Sequence, residues 1–269
     1  MNRPILLVGA GRMGWALLRG WLGTGLAPLA VVEPHPSPKL RKLARSGRVE
    51  LYATVAEADG KWRACLVALK PQILTIEAAR LRPVAQSGAL MVSIAAGVSM
   101  ASLRAAWGRT SKIVRAMPNT PGAIGRGISA LYVPRSVKAA DRMLAETLLA
   151  PLGQTLRVRH EALIDSVTAV SGSGPAYVFL LVEVLAQAGE AEGLPRDISQ
   201  KLARATVSGA GALLDSDSRP ASALRKDVTS LGGTTEAALK ILMKKEGLEA
   251  LIGRAVKAAH KRAIELGHY

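Results

Sequence analysis

Cysteine is almost absent: Cys65 is the only one in 269 residues. No disulfide can form within the chain, and a reducing, cytoplasmic setting is expected. Aromatic residues are scarce too, with four Trp, four Tyr and one Phe. The core therefore has to be built from Ala, Leu and Val, which favours α/β or all-helical packing over a β-sandwich. The amino terminus, MNRPILLVGAGRMG, turns glycine-rich after a short apolar run and lacks the length and cleavage site of a signal peptide. No other segment reaches membrane-spanning length without charges, so a soluble protein with no membrane partner is expected. Acids are outnumbered, 20 against 36 Lys and Arg, giving a net charge of +16. Such a balance invites a nucleic-acid reading. Yet the densest clusters, KLRKLARSGR at 39–48, KKEG at 244–247 and KAAHKRA at 257–263, interleave no aromatics for base stacking. A solvated basic face, or a field attracting anionic substrates, is the preferred reading, with no nucleic-acid partner.

What is present is a strand–helix alternation from Ile5 to about Val158. Apolar runs such as PILLVGA, LAVVE, ACLVAL, GALMVSI and KIVRAM alternate with helical stretches such as GRMGWALLRGWL and SMASLRAAW. This spacing predicts βαβ units and a parallel sheet. GISALYV and GQTLRVR complete the sheet region. After about His160 strand signals stop, and GPAYVFLLVEVLAQAGEAEGL reads as one long helix, apolar on most sides. Further helices are expected at PRDISQKLARATVSGAGALLDS, ASALRKDVTS and, in one stretch, from TTEAALKILMKKEG onward. Pro195 fits a helix first turn and Gly193 a preceding cap. The expected division is 1–160 and 161–269.

GAGRMG, Gly9 to Gly14, follows a strand and opens a helix, the context of a dinucleotide-binding turn. One glycine serves the tight turn, one lets backbone approach a pyrophosphate, and one allows close helix–strand packing. The competing reading is a turn that packs without a ligand. Glu33 ends the second strand where an acid would hold the ribose 2′-hydroxyl of NAD and repel the extra phosphate of NADP. His35, Ser37, Lys39 and Arg41 follow closely and could hold that phosphate, and Glu33 could equally be a solvated strand end. Cofactor preference stays open. Lys70–Gln72 and Ser93–Val98 end the next strands on the ligand edge. Asn119 and Thr120, in AMPNTP, suit the orienting of a nicotinamide ring, or simply make a turn.

The second half offers little acid–base chemistry. A 2-hydroxy acid dehydrogenase needs a general base, commonly His or Lys. The four histidines fit poorly: His35 lies beside the ribose position, His160 at the domain join, and His260 and His268 among cations near the end. In SGSGPAY, Ser171 or Ser173 could cap the long helix, and the glycines could serve backbone contact or helix packing. In TSLGGTTEAAL, Thr234 or Thr235 could cap a helix, and the N–H groups of Gly233, Thr234 and Thr235 could converge on an anion such as a substrate carboxylate. An ordinary capped helix is the alternative.

In their order and separations, GAGRMG, VSIAAGV, RAMPNTP, AVSGSGPAYVF and VTSLGGTTEAAL resemble pyrroline-5-carboxylate reductase over nearly the whole chain. The resemblance implies a Rossmann-like dinucleotide-binding domain followed by an all-helical dimerisation domain, a homo-oligomer often built as decamers of dimers, and reduction of 1-pyrroline-5-carboxylate to L-proline by NADPH or NADH. It places the Gly232, Gly233, Thr234 and Thr235 backbone at the substrate carboxylate, the Thr235 hydroxyl at the ring nitrogen, and Ser230 in the pocket lining. Gly9, Gly11, Arg12, Met13 and Gly14 would hold the pyrophosphate, Ala68, Lys70 and Pro71 would border adenosine and ribose, and Ala95, Ala96 and Asn119 the nicotinamide. No metal is implied.

Two departures stand out. Leu231 replaces the family's usual Pro and removes a fixed φ before the glycines, and the Pro220–Leu224 spacing is one residue longer. A β-hydroxyacid dehydrogenase would need a catalytic lysine near the start of the long helix, where SGSGPAYVFLLVEV has none. Reductases of related cyclic imines, and a non-catalytic nucleotide-binding module with a basic surface, are the remaining alternatives.

Overall fold

Four-residue apolar runs set the sheet. In the computed structural model, which describes residues 3–26 and 28–267, β1 (Ile5–Val8), β2 (Leu29–Val32), β4 (Ala64–Val67) and β5 (Leu90–Ser93) are buried at every position. The shorter β3 (Glu50–Tyr52) lies at one edge. β6 (Lys112–Met117), β7 (Gly127–Tyr132) and β8 (Gly153–Val158) extend the other side, giving the order β3-β2-β1-β4-β5-β6-β7-β8. Continuous apolarity is what a sheet covered on both faces demands. Ile5 and Leu7 belong to one apolar cluster and Leu6 and Val8 to another, as side-chain alternation along a strand requires.

The helices between strands follow their signals. α1 (Arg12–Gly23) buries Leu17, Leu18 and Trp21. α2 (Pro38–Arg45) begins at Ser37, whose hydroxyl accepts from the Leu40 N–H, and has Pro38 in its first turn. α3 (Pro71–Glu77), α4 (Arg82–Gln86) and α5 (Met100–Trp107) follow, with Ser99 capping α5 through the Ser102 N–H. α6 (Ala139–Leu149) connects β7 to β8, which run parallel. The few aromatics are anchors: the buried indoles of Trp21, Trp62 and Trp107 donate to the carbonyls of Leu148, Ala58 and Ala78.

Two strands, β7 and β8, depart from the expected parallel sheet. β7 runs antiparallel to β6. The link between them holds only a short 3₁₀ turn, Thr120–Ile124, whereas a parallel return needs a crossover of a dozen or more residues.

The described residues divide into two compact units, the first ending at Gly172 and taking in the chain again from Ala259, the second Ser173–Ala258. The break in contacts falls after the SGSG glycine at 172, and the end of the chain's last helix belongs to the first unit. α7 (Leu163–Val167) and a π turn, Thr168–Gly172, lead into α8 (Gly174–Ala191). Together they form a helical run, Leu163–Ala191, long and apolar enough to cross a membrane by length and composition, a length the sequence reading did not assign.

Within the second unit α8 packs on α9 (Arg196–Ser216). The Ser199 hydroxyl donates to the Ala186 carbonyl at 2.6 Å, and a Cβ on Gly189 would lie 2.2 Å from that hydroxyl, so glycine permits the close approach. Gly193, with φ +91°, ends α8: its N–H bonds the Glu190 carbonyl and the Leu194 N–H that of Gly189. It therefore closes one helix, where it was expected to cap the next. Pro195 is itself the cap of α9. α10 (Ala221–Asp227) and α11 (Thr234–Leu242) follow. The expected single last helix is broken at Met243–Gly247 before α12 (Leu248–Leu266). A Cβ on Gly247 would lie 2.2 Å from the Leu242 carbonyl oxygen, so the turn needs a glycine there.

Candidate active site

The glycine-rich turn is built as its spacing predicts. Gly9 has φ +90°, and a Cβ there would approach the Ala68 carbonyl oxygen to 2.9 Å. One on Gly14 would strike the Gly9 carbonyl oxygen at 2.1 Å, whereas Gly11 has nothing within 4 Å. Two glycines therefore hold the turn together, and the middle one opens onto the space that a pyrophosphate would use. Gly11 caps α1 with no side-chain bond, and the first helical bond runs from the Trp15 N–H to the Gly11 carbonyl. The amides of Arg12, Met13 and Gly14 precede it and point out of the helix start, toward the place of an anion. Arg12 is exposed, and Met13 packs on the core.

Glu33, after β2, turns its carboxylate to this loop: Oε2 accepts from the Ala10 N–H at 2.8 Å and Oε1 from the His35 N–H at 3.1 Å. Beside it a cavity of about 1100 Å³ is lined by Val8, Val32, Pro34, Val55, Leu69 and Ile73, among others. This is an apolar slot of the kind a purine fills. Ala68 is half-buried against the turn, while Lys70 caps α3 and Pro71 opens it at the same edge. The sequence reading did not single out Val55, Leu69 and Ile73. Their signal is apolar side chains placed just beyond strand ends.

At the other end of that edge, Ala95 and Ala96 follow β5, with the Ala95 N–H directed at the Ser93 hydroxyl. Gly97, φ +71°, lies so close to Leu266 that a Cβ would meet its Cβ at 2.8 Å. Asn119 is tethered at both ends of its amide: its Oδ1 accepts from the Ile128 N–H at 3.0 Å, and its Nδ2 donates to the Ser171 hydroxyl at 3.1 Å. Ser171 is thus a partner of the Asn119 loop and not a helix cap, and Ser173, which does stand at the α8 cap, makes no capping bond. A second tether was not foreseen. Arg115, 4% exposed on β6, pairs with the Glu161 carboxylate, which also accepts the Met100 N–H at 2.6 Å at the start of α5. The only hint in the sequence is an arginine inside the apolar strand KIVRAM.

In the second unit, Gly232 has φ +70° and Gly233 caps α11. Thr234 and Thr235 are therefore the first helical residues, not caps. The tight reversal accounts for this: the Gly233 N–H bonds the Ser230 carbonyl, and a Cβ on Gly233 would meet the Ser230 hydroxyl at 2.4 Å. Glu236 reaches back to accept the Gly232 N–H at 2.8 Å. Both glycine amides are thus engaged, which narrows the expected anion site to the amides of Thr234 and Thr235, ahead of the first helical bond from Ala237 to Gly233. Leu231 is 97% exposed.

His35 and His160 are exposed, and His260 meets the Ser166 hydroxyl at 3.4 Å. His268 lies outside the described residues. Among the described residues no group of three or more His, Cys, Asp or Glu could hold a metal ion.

Comparison with known proteins accords with this layout. Residues 4–97 match the family of coenzyme F420-dependent NADP oxidoreductases, and residues 161–266 match the pyrroline-5-carboxylate reductase dimerisation domain. A pyrroline-5-carboxylate reductase of Pseudomonas aeruginosa is 40% identical over 99% of this chain and 98% of its own length. The solved pyrroline-5-carboxylate reductase of Coxiella burnetii superposes with a TM-score of 0.90 at 31% identity over 99% of both chains. That of Plasmodium falciparum, solved with NADP bound, gives 0.82 at 27% identity over 99% of this chain and 98% of its own. On its full-length kinship, this chain belongs to the pyrroline-5-carboxylate reductase family.

Proposed function

We propose that the chain transfers hydride from NADPH or NADH to the C=N bond of 1-pyrroline-5-carboxylate, giving L-proline, the last step of proline synthesis. One observation carries the reading: a member of this family combines a dinucleotide-ready turn at Gly9–Gly14 with a helix start at Thr234 and Thr235 whose first amides are uncommitted. The residues present fit a dinucleotide, with open space over Gly11 and an apolar slot beside Val32. Bound there, the nicotinamide supplies the hydride.

The protein's part is placement. The Thr234 and Thr235 amides hold the substrate carboxylate at a positive helix end, the Thr235 hydroxyl bonds the ring nitrogen, and Ser230 lines the pocket. Gly232 and Gly233 give the reversal that aims those amides. Arg12, Met13 and Gly14 bind the pyrophosphate, and Ala68, Lys70 and Pro71 border the adenosine and ribose. Ala95, Ala96 and Asn119 border the nicotinamide, with Asn119 held by its bonds to Ile128 and Ser171. A protonated C=N is already electrophilic. When its carbon takes the hydride, the C–N π pair becomes the nitrogen lone pair and the amine keeps its proton, so no protein base has to act.

Self-association belongs to the same reading, as a homodimer or a decamer built from dimers. Val178, Phe179, Leu180, Leu181, Val184 and Leu185 on α8 are all exposed in the single chain, an apolar surface too large to leave in water. A second copy, not lipid, covers this membrane-length run, and the enzyme works in the cytoplasm.

The test is loss of reduced-nicotinamide absorbance with 1-pyrroline-5-carboxylate, with L-proline identified as product. A folded, nucleotide-binding protein that makes no proline would move the assignment to another cyclic imine.

A further inference from the structure

We infer that Glu33 makes this enzyme select NADH over NADPH, an inference that rests on the nucleotide site proposed above. The adenosine ribose has to bridge the pyrophosphate turn and the purine slot. Glu33 stands at that bridge: Val32 and Pro34 on either side of it line the slot, while its carboxylate bonds the Ala10 N–H inside the turn.

The carboxylate is fixed as well as placed. Two backbone donors, from Ala10 and His35, hold its two oxygens. A carboxylate has about four acceptor sites, so about two remain for the donors that a ribose carries, its 2′- and 3′-hydroxyls. A 2′-phosphate brings about −1.5 to −2 charge and no obligatory donor. It would meet a like charge that cannot swing away without releasing the turn. The same two N–H groups, which could otherwise cradle a phosphate, are already spent on Glu33.

Nearby cations do not reverse this: Arg41 is exposed on α2 and does not line the slot. Lys39 faces a different groove, between α1 and α2, with Trp15, Arg19, Lys42 and Arg48. In the purine slot itself the cations are Lys61, which shares the lining with Asp59, and Arg80, which binds both Glu77 oxygens at 2.8 Å. Arg12 opens α1, is exposed, and lines neither groove.

The experiment compares kcat/KM for NADH and NADPH in the wild type and in Glu33→Gln, which keeps an acceptor for Ala10 and removes the charge. Wild type should favour NADH by about tenfold or more, since a carboxylate and a phosphate dianion a few ångström apart repel by that much even at the dielectric of water. Glu33→Gln should narrow the ratio by a similar factor. Equal use of both cofactors, a wild-type preference for NADPH, or an unchanged ratio in the variant would each overturn the inference. Should the variant not fold, inhibition of wild type decides: AMP should compete with NADH more strongly than adenosine 2′,5′-bisphosphate, and the reverse order overturns the inference. No turnover and no competition by either nucleotide is a separate failure, that of the nucleotide site itself.

Discussion

Replacing Glu161 by alanine isolates the Arg115 guanidinium inside the first unit. The Arg115 side chain is 5% exposed and that of Glu161 29%. Removing one member of a buried pair costs about 3–5 kcal/mol, because the remaining charge stays desolvated. Water can reach the Glu161 side, which favours the lower end, but the Met100 N–H loses its acceptor too, worth about 1 kcal/mol. The sum is about 4 kcal/mol. For a protein of this size each kcal/mol moves Tm by about 2–4 °C, so Glu161→Ala should melt roughly 8–16 °C below wild type in a scan by circular dichroism. Glu161→Gln, which can still accept from both donors, should lose less than half as much. Because Met100 begins the helix that follows Ala95 and Ala96, the alanine variant should also bind nucleotide more weakly under conditions where it remains folded. A Glu161→Ala protein within about 1 kcal/mol of wild type in urea titration would refute the claim that this pair is a buried tether.

Gly14→Ala should abolish nucleotide binding, since its Cβ would sit 2.1 Å from the Gly9 carbonyl oxygen. Fluorescence titration with reduced nicotinamide checks it, and near-normal affinity would show that the turn can open. Thr235→Ala should lower kcat by about 10²-fold or more while nucleotide affinity stays within about twofold, and Thr235→Ser should recover most of the rate, in line with the loss of one transition-state hydrogen bond. Burial pushes the Cys65 thiol well above its ordinary value, so it should ignore a thiol reagent until the chain unfolds. The sign of its linkage follows: the unfolded thiol ionises near about 8.5 while the folded one stays protonated, so stability is complete below that pH and declines above it. Urea midpoints of wild type and Cys65→Ala between neutral and alkaline pH measure this, and parallel declines would remove the thiol as the cause.

Periodic signals were legible because they are local. β1 and its glycines and the alternation up to Val158 each declare themselves within a few residues. The reversal of β7 was not, since it depends on what a short loop can span. The thresholds of α8 and α11 were misread for different reasons: α8 continues the helical run from Leu163, so Ser173 stands on helical backbone and has no free helix start to cap. Cap rules favour Ser and Thr because their oxygens accept N–H groups, but after the left-handed φ at Gly232 the cap falls to Gly233, so helix begins at Thr234, earlier than a threonine cap would allow, and no side-chain cap is used.

The polar residues of the candidate site obey a rule that no short window can reveal. Glu33 accepts from Ala10, Glu161 from Met100, Asn119 from Ile128 and Glu236 from Gly232. In each case an acceptor side chain is spent on a backbone N–H in or beside a loop proposed to meet nucleotide or substrate, and two of those contacts span 23 and 61 residues. The groups left for ligands are mostly the amides that helix geometry leaves over at Arg12–Gly14 and Thr234–Thr235. Hydride transfer to an activated C=N asks for position more than for proton transfer. A site that spends its carboxylates on fixing loops, and binds through backbone, can supply position with few titrating groups. That is why a search for a general base in this sequence finds none, while glycine and threonine carry the pattern.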